Sequence, residues 1–383
     1  MKIIGVICEY NPFHLGHKKQ FDLIRNEFGE DAAIVCLMSG NFVQRGYPAI
    51  FHKSLRAAAA IECGADLVLE LPAMYALSSA EGFAAGGVKI LSKFCDYLCF
   101  GAESGTAESL MATAAALLSP EFSDALGKEL DKGVSFAAAR QQAVAAMGID
   151  ASLLEKPNDI LGIEYCKAIL ARNCAMVPFV INRSGNYHAA EPEPENPSAT
   201  SLRKLLQEGA PWQTYVPADA AAIFENAPIY TLAAGERSVL ARLRTMTNDE
   251  FEATPFGSEG LWRKFMRNCR NCATLQEILT ATKSKRYARS RLDRMVMCAF
   301  LGLTVEEMQL SPPYVRVLGF NETGTSVLKI ARQTGDFPHI GEKTGHEYEA
   351  LEQRLESLYG LFRTDSPAAP NEKLRVYIKK ATE

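Results

Sequence analysis

The sequence predicts an α/β protein, with a doubly wound, mostly parallel sheet in residues 1–215 followed by a mainly α-helical domain in residues 216–383. Three observations predict it. Short, unbroken apolar runs recur through the first half, as strands buried on both faces require. Amphipathic stretches of helical length lie between them, so the pattern alternates strand and helix. Beyond about residue 216 the strand signal thins and helical periodicity takes over.

The run KIIGVIC, residues 2–8, is rich in β-branched side chains and reads as a central strand. The turn NPFH and an amphipathic helix over 15–27 follow. Next come the strand AAIVCLM, a helix over 53–63 and the strand DLVLEL. A helix over 80–93, the strand DYLCFG and alanine-rich helical segments over 106–147 extend the pattern, the last as an insertion or side layer. A helix over 159–171, the strand MVPFVIN, the loop EPEPENPS and a helix from near 201 complete a Rossmann-like domain, whose ligands belong at the carboxyl ends of the strands. In the second half GLWRKFMRNCRN, TLQEILTATK, YARSRLDRMVMCAFLG and YEALEQRLESLYGLF read as helices. YVRVLGF and TSVLKIARQ suggest a small strand–helix element inside that domain, and residues after 364 read as a loose tail.

A chain of 383 residues exceeds what one hydrophobic core usually supports, in keeping with two domains. The net charge of −4 excludes a polycation throughout but not a basic patch. The ten cysteines sit in apolar segments such as VICEY and VMCAF, the usage of buried thiols in a reducing compartment. Cys269 and Cys272 have CxxC spacing but no second ligand pair follows, so they read as helical core and no metal site is expected. No apolar run reaches the roughly 18 residues of a membrane span, and the expected location is the cytoplasm.

The chemistry concentrates in GVICEYNPFHLGHKKQF, where a strand runs through NPFHLGH into a helix. A helix start at that place offers amide N–H groups and a positive dipole end to polyphosphate. His14 and His17 bracket Gly16 there, and imidazoles three residues apart can both donate to phosphoryl oxygens as negative charge builds. Gly16 permits close approach of a ligand, and Pro12 stiffens the turn. The plainer reading is local capping and packing by both rings. Their place at the first crossover, for two of six histidines in the chain, favours the phosphate role. In SATSLRK, Ser198, Thr200 and Ser201 can cap a helix and offer hydroxyls while Arg203 supplies a charged fork for phosphate. Gln44 and Arg45 in GNFVQRG, and Lys53 and Arg56 at a helix start, are further candidates to hold a carboxylate or pyrophosphate, although most such charges lie on solvated faces.

HLGH and SATSLRK together resemble the two signatures of the HxGH nucleotidyltransferase superfamily. The resemblance narrows further: EYNPFHLGH, MSGNFVQRG, FHKSLRAAAAIECGADLVLELP, CFGAESG, KPNDILGIEY and SKRYARSRL are similar to the tRNA(Met) cytidine acetate ligase family and span most of the chain. That resemblance implies an ATP-dependent ligase. It would form acetyl-adenylate and pass the acetyl group to the wobble cytidine of elongator tRNA(Met), with ATP and acetate as substrates, Mg2+ a compatible companion, and no DNA or membrane partner. It also implies an ATP site made of Ile7, Cys8, Glu9, Tyr10, Asn11, Pro12, Phe13, His14, Leu15, Gly16, His17, Lys18, Lys19 and Gln20, joined by Gly101, Asn158 and Arg183, with Ser198, Thr200, Ser201 and Arg203 from the second signature. His14 and His17 would be its catalytic residues.

Between Arg263 and Arg294 ten Lys and Arg residues meet only Glu277 and Asp293, a local balance of +8 in a chain whose total is −4. This concentration fits a phosphate backbone, with Lys283, Lys285, Arg286, Arg289 and Arg291 as the expected RNA contacts. Trp262, Phe265 and Tyr287 are interleaved with the cations; they could stack on bases but read rather as core. Two other functions suit parts of the pattern. A pantothenate-synthetase-like ligase acting on a small amine would not need the basic domain, and a non-catalytic RNA-binding protein would not need intact HLGH and SATSLR.

Overall fold

Val35 and Leu37 pack into one hydrophobic cluster while Ile34, Cys36 and Met38 pack into another, and none of the five is exposed. A strand covered on both faces must be apolar at every position, which is why the run shows no alternation. The computed structural model describes residues 1–182, 198–333, 347–366 and 376–380. Its strands are β1 (Ile3–Cys8), β2 (Ala33–Ser39), β3 (Phe42–Val43), β4 (Tyr47–Pro48), β5 (Leu67–Leu71), β6 (Tyr97–Ala102), β7 (Val177–Asn182), β8 (Val317–Phe320) and β9 (Tyr377–Ile378).

The main sheet runs β7-β6-β1-β2-β5-β8-β9, with β7 to β5 mutually parallel. β3 and β4 form a separate antiparallel hairpin beyond the carboxyl end of β2. The helices of the first half are α1 (Leu15–Phe28), α2 (Lys53–Glu62), α3 (Ala73–Ala76), α4 (Ala80–Leu91), α5 (Ala107–Leu117), α6 (Pro120–Leu130), α7 (Phe136–Ala146), α8 (Pro157–Arg172) and α9 (Ala199–Glu208). α4, α5 and α8 cover one face of the sheet and α1, α2 and α9 the other, the doubly wound arrangement expected. α5 to α7 form the anticipated side layer on α8.

The second half contributes α10 (Ala218–Phe224), α11 (Leu232–Thr245), α12 (Asn248–Glu252), α13 (Leu261–Asn271), α14 (Leu275–Thr282), α15 (Arg289–Leu301), α16 (Glu322–Gln333) and α17 (Glu347–Tyr359). α11, α13, α14, α15 and α17 enclose their own core, into which Phe42, Met74 and Leu77 of the first half also reach. α10 instead packs on α2. No helix among the described residues is long and apolar enough to cross a membrane, and all ten cysteines are free thiols.

One expectation is corrected. The strand and helix of residues 314–333 do not form an element of the helical domain: β8 adds antiparallel to β5, and α16 packs on β2, β5 and β8. Asn321 anchors this return, donating its backbone N–H to the Asp66 carbonyl at 3.0 Å and its side-chain amide to Asp66 Oδ1 at 2.9 Å. Gly324 is required there, since a Cβ would lie 2.0 Å from the Asp66 carbonyl oxygen. Within the segment read as a tail, β9 pairs with β8. Hydrophobic pattern reports that a strand is buried, not which strand it joins.

Candidate active site

β1 delivers the chain to the carboxyl edge of the sheet, where Tyr10 takes a left-handed conformation (φ 45°) before α1 begins. His14 is the N-cap of α1. Its Nδ1 accepts the Gly16 N–H at 3.1 Å, and the Nδ1 of His17 accepts the His14 N–H at 3.3 Å, which makes a capping box of two imidazoles. The rings stack 3.7 Å apart, with Tyr10 edge-on to His17 at 4.8 Å. Because each Nδ1 accepts a backbone proton, each neutral ring carries its own proton on Nε2 and is a donor there. Capping through Nδ1 is therefore compatible with donation from Nε2. The Gly16 and His17 amides are correspondingly engaged within the cap and first turn.

Both rings line a cavity of about 300 Å³. Its other walls include Glu9, Asn11, Lys19 and Gln20, Arg45 and Tyr47 of the β3–β4 hairpin, Gly101, Asn158, and Ser198, Thr200 and Arg203 of α9. Ser198 caps α9 by accepting the Ser201 N–H at 3.0 Å, whereas the Ser201 hydroxyl returns to the Ser198 carbonyl at 2.8 Å and does not reach the cavity wall. Arg203 donates to the Asn11 carbonyl at 2.8 Å and to Thr200 Oγ1 at 3.1 Å, tying the two signature segments together. Burial pushes its pKa down and nearby Glu9 opposes that shift; a guanidinium keeps its charge under such conditions.

Sequence reasoning missed two positioning carboxylates. Glu103, after β6, accepts the Asn158 N–H at 3.0 Å and the Asn158 amide at 2.6 Å. Asp159, fully buried, accepts the Glu103 N–H at 2.8 Å and the Ser104 hydroxyl at 2.6 Å. This reciprocal pair locks the β6 loop to the start of α8 and fixes Asn158 in the wall. The signal available was Asp beside Asn after Pro157, an N-terminal helix pattern, but its partner fifty-odd residues away was not legible.

Arg56 and Lys53 face neither solvent nor the cavity. Arg56 is fully buried and donates to the carbonyls of Phe51 at 2.9 Å, Glu9 at 2.5 Å, Ser39 at 3.1 Å and Gly40, clamping the ends of β1 and β2. Lys53 Nζ bridges Glu70 at 2.9 Å and Glu356 of α17 at 3.1 Å, joining sheet to helical domain. Gln44 gives its backbone N–H to Glu9 Oε1 at 2.7 Å, and Arg45 is exposed at the cavity mouth.

A larger chamber of about 780 Å³ shares Glu9, His17, Arg45, Tyr47, Asn158 and Arg203 with the first and opens onto α15 through Arg289, Ser290 and Asp293. Lys283, Lys285 and Arg286 are exposed on the segment leading into α15, with Arg286 paired to Glu259 at 3.0 Å. Arg291 donates to the Phe256 carbonyl at 3.0 Å and lies over the Tyr287 ring at 4.8 Å. Phe265 is core, while Trp262 and Tyr287 are half-buried and carry guanidinium groups on their rings. Arg294 is buried behind the hairpin and contributes nothing to an exposed patch.

Of the stretch Ile7 to Gln20, Ile7, Cys8 and Tyr10 line only the larger chamber, whereas Pro12, Phe13, Leu15 and Lys18 line neither. Phe13 is fully buried in the packing behind the histidines, and Lys18 pairs with Asp22 on the outer face of α1. Arg183 lies outside the described residues.

A family model described as HIGH Nucleotidyl Transferase matches residues 1–372. The tRNA(Met) cytidine acetate ligase of Clostridium novyi (strain NT) is 36% identical over 366 residues, covering 88% of this chain and 89% of its own. That of Caldanaerobacter subterraneus subsp. tengcongensis is also 36% identical, covering 95% and 94%. The crystal structure of apo Thermotoga maritima TmcAL superposes with a TM-score of 0.91 at 29% identity, and that of the same protein bound with alpha-thio ATP with 0.88 at 28%, each covering both chains fully.

Proposed function

Because the chain belongs to the tRNA(Met) cytidine acetate ligase family of HIGH nucleotidyl transferases, we propose that it is an ATP-dependent ligase that activates acetate as acetyl-adenylate and transfers the acetyl group to the wobble cytidine of elongator tRNA(Met) in the cytoplasm. The observation that supports this reading is the capping box of His14 and His17 in the wall of a cavity that Arg203 also lines.

In the first step a carboxylate oxygen of acetate attacks the α-phosphorus, the bond to the bridging oxygen breaks, and pyrophosphate departs. His14 and His17 donate to the phosphoryl oxygens on which charge accumulates, while Arg203 and Arg183 balance it. Fixed donors need no reorganisation as the charge moves, so orientation and electrostatics carry the catalysis. Ser198 and Thr200 hold the phosphates from α9, and Gly101 and Asn158 flank the nucleoside. In the second step the cytidine amine attacks the acetyl carbonyl, AMP leaves with the electron pair of the acyl–oxygen bond, and the proton released from the nitrogen passes to the departing phosphate or to water. Mg2+ enters with ATP as part of the substrate. Glu9 is the sole carboxylate among the described residues lining the smaller cavity, so phosphate oxygens and water supply most of the ion's ligands.

The test is incubation with ATP and labelled acetate, with and without tRNA. Acetate-dependent pyrophosphate release and label on tRNA are expected. In His17→Ala pyrophosphate release falls by about two to three orders of magnitude, the cost of losing one such donor, while tRNA is still bound. Equal loss of both would reject the assignment.

A further inference from the structure

The larger chamber is far roomier than acetate requires, and it bridges the adenylate site and the basic domain. We propose that Asp293 recognises the acceptor base, its carboxylate accepting a hydrogen bond from the cytosine N4 amine and so selecting cytidine over uridine. This rests on the acetyl-transfer reading above.

Asp293 lines the chamber from α15, the helix that also carries Arg289 and Arg291. Its carboxylate is held by donors from both halves of the protein, Tyr47 Oη at 3.0 Å on Oδ2 and Arg289 Nε at 2.9 Å on Oδ1. Asp293 is buried in the chamber wall, and a carboxylate oxygen can accept a second hydrogen bond beside the one it accepts here. Glu9 is the other carboxylate lining the chamber among the described residues; it belongs also to the smaller cavity and its Oε1 already accepts the Gln44 N–H. Asp293 is thus the chamber's carboxylate on the basic domain.

The chemistry of the bases supplies the selection. Cytosine presents an N4 amine donor where uracil presents the O4 acceptor, so a fixed carboxylate attracts the first and repels the second. Phe83, Phe100 and Tyr165 give the chamber an apolar wall suited to an unstacked base, and Arg45 and Arg289 stand at its rim where the flanking phosphates would pass. An N4 amine held by Asp293 is in the same cleft as the adenylate carbonyl, so recognition and positioning coincide.

The test uses the full enzyme and anticodon stem-loop RNAs that differ only in C or U at the acceptor position, as competitors of acetyl transfer to tRNA(Met) transcript. Wild type is expected to prefer the cytidine competitor at least tenfold. In Asp293→Asn, whose amide can meet O4, the preference falls towards one, and acetylcytidine formed per pyrophosphate released drops at least tenfold. A stem-loop carrying N4-(2-aminoethyl)cytidine, coupled to wild type with carbodiimide, needs no variant to fold and is expected to label the peptide containing Asp293. Labelling of other carboxylates alone, or an unchanged preference in Asp293→Asn, overturns the inference. Absence of acetate-dependent pyrophosphate release from wild type would instead overturn the reading beneath it.

Discussion

Replacing Lys53 with methionine tests whether buried charge holds the helical domain on the sheet. Lys53 Nζ lies 2.9 Å from Glu70 on β5 and 3.1 Å from Glu356 on α17, and Glu356 also meets His52 Nε2 at 2.6 Å and the Asn41 amide at 3.0 Å. Burial works against ionisation of Glu356, but Lys53 and His52 outweigh it and hold its carboxyl down at about 2. Against the ordinary 4.5 that depression is worth about 3 kcal/mol, and removing one partner of a buried pair typically costs about 3–5 kcal/mol. A carboxyl depressed in the folded state contributes stability that is complete above its unfolded pKa and is lost as pH falls through the folded one. The gap between wild type and Lys53→Met in urea unfolding is therefore about 3–5 kcal/mol at pH 7 and narrows between about pH 4.5 and 2. Glu352, pushed up by burial and by Glu70, has the opposite dependence in both proteins and largely cancels in the difference. Parallel pH profiles for the two proteins would refute the reasoning.

Two further predictions concern the junction between the halves and the basic surface. Gly46 adopts φ +81°, and a Cβ there would lie 2.6 Å from the backbone of Asp293 and Arg294; Gly46→Ala should cost about 1–3 kcal/mol and depress acetyl transfer more than ATP–pyrophosphate exchange, read by running both assays on one preparation. Lys285→Glu with Arg286→Glu should weaken tRNA binding and flatten the plot of log affinity against log salt by roughly 0.7–0.9 for each phosphate no longer neutralised, with an unchanged slope removing these side chains from the RNA surface.

The alternation of buried strands and helices in the first half follows from local pattern, because a strand buried on both faces is apolar throughout and a parallel neighbour needs an intervening helix. The place of the histidine pair was legible for a similar reason: HLGH follows directly on an apolar strand run and opens an amphipathic helix. Lys53 and Arg56 were not legible. Charges at a helix start resemble a solvated face until the carbonyls and carboxylates that surround them are brought in from β1, β2, β5 and α17.

By itself the sequence determined the alternating architecture, the ATP-side signatures and the concentration of positive charge between Arg263 and Arg294. Tertiary structure alone decided that β8 closes on β5, that Glu103 and Asp159 brace the cavity wall, and that Asp293 meets Tyr47 where the halves join. The division is physical. Periodicity and capping act over a few residues and are written in adjacent letters, whereas a buried ion pair or an added strand depends on which distant segments the folded chain brings within about 3 Å of each other.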